Sequence, residues 1–452
     1  MSTKHSKAAA EFLKNKKQAA WHDETLWLVR AKRDRLSKEV PEWEELRNMA
    51  CATKLYSNSH LDELLVEFEN NARANGAHVY WAKDADEYCN IVYNILNQHG
   101  VKHFIKSKSM LAEECELNPF LENKGIEVVE SDLGERILQL MHLKPSHIVL
   151  PAIHIKREQV GELFEREMGT EKGNFDPTYL THAARKNLRQ KFIHAEAAMT
   201  GANFAVASTG EIVVCTNEGN ADMGTSQPKL QIAAFGMEKI VPDRESLGVF
   251  TRLLARSATG QPITTYTSHY RKPREGGELH IIIVDNGRSK ILADQKHIKT
   301  LNCIRCGACM NTCPVYRRSG GYSYTYFIPG PIGINLGMLK APLHYYDNVS
   351  ACSLCYSCSF VCPAKVDLAE QIYLWRQDLD KLGKADRMKR VMSGGMEFMM
   401  NRPLIFNMAL KWAPLVNGMP RFLIYNGLND WGKGRETVSY THLRAHETSA
   451  HL

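Results

Sequence analysis

The chain has no run of 18 or more apolar residues, which argues against a membrane-spanning helix. Its first 20 residues are rich in Lys and Ala but hold no continuous apolar stretch of the kind a signal peptide needs. The most apolar late segment, from Pro403 to Val416, carries Lys411 and is interrupted at Pro414 and again at Pro420. No G-x-G-x-x-G fingerprint supports a bound dinucleotide. The Pro329-Gly-Pro-Ile-Gly333 segment lacks the Gly-Lys-Ser/Thr ending of a phosphate loop. A net charge of +7 over 452 residues falls short of the basic clustering of a nucleic-acid binder. With 44% hydrophobic and 24% charged residues, the composition is that of a globular chain of about two to four domains.

Cysteine, by contrast, is abundant and ordered. Eight of the twelve cysteines form two copies of one pattern, C-x2-C-x2-C-x3-C-P: Cys303, Cys306, Cys309, Cys313-Pro314, then Cys352, Cys355, Cys358, Cys362-Pro363. This is the bacterial ferredoxin spacing, in which three thiolates converge on one cubane and the fourth reaches the other. The spacing predicts two [4Fe–4S] clusters: Cys303, Cys306, Cys309 and Cys362 on cluster 1; Cys313, Cys352, Cys355 and Cys358 on cluster 2. A zinc site would need two C-x2-C pairs rather than matched quartets, and disulfide frameworks belong to short secreted chains. Cys51, Cys89, Cys115 and Cys215 are scattered and read as small buried hydrophobes. Reduced thiolates and oxygen-sensitive clusters imply the cytoplasm.

Along the chain, residues 1–72 show helical periodicity among many Arg and Lys, as a solvated face or a docking arm for a partner subunit. From 73 to 288 strand and helix alternate. Strands are expected at 77–81, 102–105, 126–129 and 147–150, with helices at 84–98, 110–124 and 133–143 between them, which argues a parallel α/β sheet. Residues 157–201 read as helical around a loop at 169–177. A hairpin follows, Phe204–Ala207 and Ile212–Cys215 around Ser208-Thr-Gly210-Glu, then strands at 230–235, 239–241, about 263–266 and 280–284, for a mixed sheet overall. Residues 289–385 carry the quartets, with loop expected from 316 to 337. C-terminal helices occupy 386–436, with a methionine stripe (Met388, Met392, Met396, Met399, Met400) read as core or partner interface. Residues 437–452 break the preceding pattern and are taken as a non-native tail, so that the natural C-terminus is absent.

Two quartets with a long spacer resemble the α-helical ferredoxin module of succinate dehydrogenase-type and heterodisulfide-reductase-type iron–sulfur subunits. Upstream, Ser107-Lys-Ser-Met-Leu-Ala-Glu-Glu, the segment from Gly125 to Glu135, Pro145 to His154, and Ser208-Thr-Gly-Glu-Ile-Val resemble the lactate-utilisation (LUD) domain, a CoA-transferase/ribose-phosphate-isomerase-like α/β fold with a mixed sheet. The combination, over about residues 5 to 435, resembles the lactate-utilisation protein B, or YkgF-type, family. That resemblance implies an electron-transfer subunit of a complex oxidising L-lactate to pyruvate. It also implies a cysteine-rich heterodisulfide-reductase-like partner and a small LUD-domain partner. A self-contained oxidoreductase on a small hydroxyacid and an oxygen-sensing regulatory protein are the alternatives.

No catalytic residue is assigned. Glu135 and Glu211 each lie close after a glycine at an expected strand edge, where ligand sites of open α/β sheets form. Each is read first as a helix-start or turn carboxylate. His147, His154, His182 and His194 offer bases but are expected to be structural.

Overall fold

The computed structural model describes residues 4–383 and 387–412. The chain divides into two compact units, Met1–Leu374 and Trp375–Leu452.

The first unit is built on two sheets. The strands are β1 (His78–Ala82), β2 (His103–Lys106), β3 (Glu127–Glu130), β4 (Ala197–Gly201), β5 (Phe204–Val206), β6 (Glu211–Thr216), β7 (Leu230–Gly236), β8 (Ile240–Val241), β9 (Tyr266–Tyr270) and β10 (Glu278–Val284). One sheet has the order β1-β10-β7-β4-β2-β3 and every pair in it is parallel. Its central strands are apolar on both faces, as a sheet covered on both sides requires: Leu230–Gly236 is buried throughout. The second sheet, β8-β5-β6-β9, carries the hairpin, with Phe204 opposite Val213 and Val206 opposite Glu211. The mixed sheet expected from sequence is therefore two sheets, one wholly parallel.

The fourth parallel strand is β4, not residues 147–150. His147 cannot hold a strand there because its ring closes its own turn: Nδ1 accepts from the backbone N–H of Val149 and Leu150, both at 3.0 Å. Strand β4 instead falls at the end of the region expected to be helical, just after the helix Pro177–His194. The expected helix 110–124 is two pieces, Met110–Glu114 and Leu117–Glu122, parted by Glu116 in the left-handed region. Residues expected as loop include the helix Gly330–Lys340, buried from Gly330 to Met338. A Cβ on Gly333 would lie 1.7 Å from the carbonyl oxygen of Ile328, so only glycine admits the chain this closely.

The N-terminal arm comprises α1 (Lys4–Lys14), α2 (Lys16–Lys38), α3 (Trp43–Ser59) and α4 (Leu61–Ala74). Its face is not simply solvated. Helix α4 buries Leu64, Leu65 and Phe68 against Phe235 and Ile281 of the parallel sheet. Helices α2 and α3 run between the α/β region and the cysteine loops, with Leu26, Arg33, Arg47 and Lys54 buried. One face of the arm is thus an internal strut rather than a solvated one.

In the second unit, the helices Arg387–Met400 and Pro403–Trp412 leave Met392, Met396, Met400, Leu404, Met408 and Trp412 exposed. Met388's side chain and residues 413–452, with the expected tail, lie outside the described residues. Among the described residues, no helix is long and apolar enough to cross a membrane.

Candidate functional site

The two cysteine loops repeat one backbone design. In the first, Arg305 (φ 60°) and Gly307 (φ 78°) take the left-handed region on either side of Cys306. In the second, Leu354 (φ 54°) and Tyr356 (φ 60°) do so around Cys355. Each loop then starts a short helix, Ala308–Thr312 or Ser357–Val361, that ends at an extended cysteine followed by proline. The left-handed residues turn backbone N–H groups toward sulfur. Arg305 N lies 3.4 Å from Cys303 Sγ and Leu354 N 3.3 Å from Cys352 Sγ; Tyr316 N and Val366 N approach Cys313 and Cys362 at 3.5 Å.

Cys303, Cys306, Cys309 and Cys362 line one cavity. Cys313, Cys352, Cys355 and Cys358 fall in one another's electrostatic reach. Cys309 also feels Cys358, so the two groups adjoin. Burial pushes the free Cys306 and Cys313 thiols up to about 12; only a metal or strong cation would make thiolates of them near neutrality. Four soft donors around one enclosed space, with N–H groups aimed at the sulfurs and no carboxylate or imidazole in the lining, suit an iron–sulfur cubane.

The arm supplies cations to this module. Arg47 donates from Nε and Nη2 to the carbonyl of Cys362 (3.1 and 2.9 Å) and from Nη2 to that of Phe360 (2.8 Å). Arg33 donates to the carbonyl of Val361 at 3.0 Å, and Arg30 to Thr312 and to Ser357. The buried charges of Arg33 and Arg47 act on Cys306 and Cys362 and oppose the net negative charge of a thiolate-bound cluster, favouring its reduced form.

A second cavity, of about 340 Å³, opens where the carboxyl ends of β2, β4 and β7 meet the first cysteine loop. This is the crevice at which parallel α/β sheets bind ligands. Ser107 and Lys108 follow β2, Gly201 to Asn203 end β4, and Glu238 and Lys239 follow β7; Arg305 and Cys306 close the far side. Arg288 anchors the floor, with a two-pronged contact to Glu114 (3.1 and 3.0 Å) and a short one to Glu238. A Cβ on Gly236 would meet Glu238 Oε2 at 2.2 Å and Arg288 Nε at 2.3 Å, so the ion pair lies directly over that glycine. Despite burial, the neighbouring Arg288 guanidinium holds Glu238 down to about 2. Burial pushes Lys239 down to about 8 and Glu218 up to about 7, the latter aided by Asp132.

The carboxylates singled out from sequence lie elsewhere. Glu135 is buried with Glu130 beside Lys106, whose Nζ is 2.7 Å from Glu130; among the described residues neither Glu135 oxygen has a hydrogen-bond partner. Burial and Glu130 raise its pKa well above the usual range. Glu211 is locked between Arg244 (2.8 and 2.6 Å) and His269 (3.2 Å) in the smaller sheet. His147 holds Asn311, between Cys309 and Cys313, at 2.9 Å, and burial lowers its pKa to about 3. His154 is hydrogen-bonded to Ser146 (2.6 Å) and Tyr322 (2.9 Å). His182 and His194 are exposed. Lys239, Glu218 and Arg305 went unremarked in the sequence; the one cue was charge placed just after a strand or beside a cluster cysteine.

Comparison with known proteins agrees with this division. The LUD domain family matches residues 65–291 and the 4Fe-4S dicluster domain matches residues 299–366, so the cofactors are two [4Fe–4S] clusters. The chain is 41% identical over 386 residues to lactate utilization protein B of Geobacillus thermodenitrificans, covering 83% of this chain and 81% of that protein. It is 42% identical over 388 residues to the protein of the same name from Bacillus pumilus, covering 84% and 82%. It is 37% identical over 422 residues to the uncharacterized electron transport protein YkgF of Escherichia coli, covering 90% and 88%. A solved DUF162 family protein of Deinococcus radiodurans, 15% identical, covers 50% of this chain and 98% of its own, with a TM-score of 0.29 that is too low to bear on the fold. On the extent and identity of these matches, the chain belongs to the lactate utilization protein B family, which joins a LUD domain to a 4Fe-4S dicluster domain.

Proposed function

We propose that this chain is the iron–sulfur electron-transfer subunit of a cytoplasmic complex that oxidises L-lactate to pyruvate. Cluster 1 is held by Cys303, Cys306, Cys309 and Cys362, and cluster 2 by Cys313, Cys352, Cys355 and Cys358. The partners are a cysteine-rich heterodisulfide-reductase-like subunit and a small LUD-domain subunit. In this reading residues 1–72 form the arm, 73–288 a LUD domain of the CoA-transferase/ribose-phosphate-isomerase-like kind, and 289–385 the cluster-bearing domain.

The observation that carries the reading is the reach of Cys309 to Cys358 as well as to its own group. Each quartet lends its last cysteine to the other cluster, so the two cubanes stand side by side and an electron passes between them without long-range transfer. Removing two electrons from a hydroxyacid suits a pair of one-electron carriers. The bound clusters supply that one-electron chemistry; the chain's residues hold them dry and set their charge.

The test is reconstitution without air. With both partners present, L-lactate should reduce the clusters of this chain, followed by EPR, as pyruvate appears. Pyruvate formation at full rate while these clusters stay oxidised would show that electrons bypass the chain. The cavity against Cys306 favours a second reading, in which this subunit also holds the hydroxyacid.

A further inference from the structure

We infer that the cavity between the carboxyl ends of the parallel strands and the first cysteine loop binds a small 2-hydroxy or 2-keto monocarboxylate, with Lys239 and Arg305 receiving its carboxylate. The inference rests on the function proposed above and deepens it by naming the residues that meet the acid.

Cations that share a single, already engaged carboxylate carry the argument. Among the described residues Lys239 lines the cavity and makes no hydrogen bond or ion pair. Nη1 of Arg305 is buried with no hydrogen-bond partner, and its nearest carboxylate, Glu238, stands 3.7 Å from Nη2. That carboxylate is already engaged by Arg288, which also takes both oxygens of Glu114. Both side chains line the cavity, and the carboxylate that attracts them, Glu238, is already bonded to Arg288, so the two cations share one committed anion, and a second, oxygen-bearing anion entering beside Lys239 offsets the remaining charge. A planar carboxylate matches a guanidinium edge and an ammonium together.

The rest of the cavity fits the remainder of such an acid. Asp132 and Glu218 also line the cavity, tied to the helix Leu133–Leu140 through Leu133 N to Glu218 (3.1 Å) and Glu135 N to Asp132 (3.0 Å). These carboxylates accept from the 2-hydroxyl of an acid bound in the cavity. The volume, about 340 Å³, is at the small end of ligand sites and exceeds the needs of a three- or four-carbon acid. The lining includes Cys306, so an acid bound here lies against a cysteine of the first quartet.

The test uses the full chain with both clusters loaded, by titration calorimetry under anaerobic conditions. L-lactate and pyruvate should bind saturably, and propionate, which lacks the 2-oxygen, more weakly. Lys239→Met should weaken lactate binding on the order of tenfold or more, with iron content and visible spectrum unchanged, and Lys239→Arg should restore most of it. Glu218→Gln should narrow the gap between lactate and propionate. Absence of binding to a fully loaded chain overturns the inference, as does equal binding by inorganic phosphate, or Lys239→Met binding as the parent does. If lactate still reduces the clusters in the complex while this chain alone binds none, the inference falls and the electron-transfer reading stands. If lactate binds here but no electron reaches the clusters, the reverse holds.

Discussion

Replacing Arg47 by Met keeps the aliphatic stem in its slot on α3 and deletes every donor. Three hydrogen bonds to backbone vanish, two to the carbonyl of Cys362 and one to that of Phe360, together with the ion pair to Glu44 (2.5 Å), all from a guanidinium that is about nine-tenths buried. Hydrogen bonds to a charged group contribute about 1.5–3 kcal/mol each, but these share one donor group and two acceptors, so their sum is not the cost. Leaving the Cys362 carbonyl with only the long bond from Lys365 N (3.4 Å), and the Phe360 carbonyl without its arginine, brings the loss to about 3–5 kcal/mol. Against a typical total of about 5–15 kcal/mol, that is a large share. The loss falls on the turn that carries Cys362, so the cluster that turn serves should fail first. Anaerobic urea unfolding should show an earlier midpoint. Challenge with an iron chelator should take the chain from about eight irons toward about four before the rest is lost. Arg157→Met, which removes an exposed pair with Glu158, serves as the control and should change neither. A chain with Met at position 47 that keeps all its iron and unfolds at the parent's urea concentration would refute the strut's role.

Two further predictions concern buried titrating groups. The Glu135 carboxyl is protonated in the fold at pH values where the unfolded chain has ionised it, so its contribution is full in acid and is lost as pH rises toward its raised native pKa. Glu135→Gln should therefore raise the melting temperature at pH 8 and leave it unchanged at pH 4; calorimetry at the two pH values decides, and a lower melting temperature at pH 8 would contradict it. His154 shifts the other way: burial lowers it to about 4, so its contribution is full above about pH 6.5 and is lost as pH falls toward 4. At pH 5 this amounts to about 2 kcal/mol, and His154→Gln should flatten the acid limb of the stability profile; a limb of unchanged slope would assign it elsewhere.

The parts of the fold legible in the sequence were those set by local rules. Asp84 starts its helix because its carboxylate accepts from Glu87 N at 2.9 Å, an N-cap visible as a residue type beside an apolar periodic run. The quartets declared their cofactors because a cubane constrains its ligands to a few residues' separation. The segment at His147 misled because it is apolar and short like a strand, while the ring that closes its turn is held from its other nitrogen by Asn311, 164 residues away. The arm misled because buried and exposed arginines look alike until their carbonyl acceptors, more than 300 residues on, are known. The cavity was hidden for the same reason: Lys239 and Arg305 meet only when the end of β7 is set beside the cysteine loop, whereas Glu135 and Glu211, which stood out beside glycines, are committed to partners or burial of their own.

The most direct measurement is EPR of the anaerobically purified chain, taken with an iron count. Two adjacent cubanes predict about eight irons per chain and, on full reduction, a spectrum broadened by magnetic coupling between the two reduced centres. A colourless chain, one that holds zinc, or one whose two reduced clusters give independent signals would contradict the side-by-side pair.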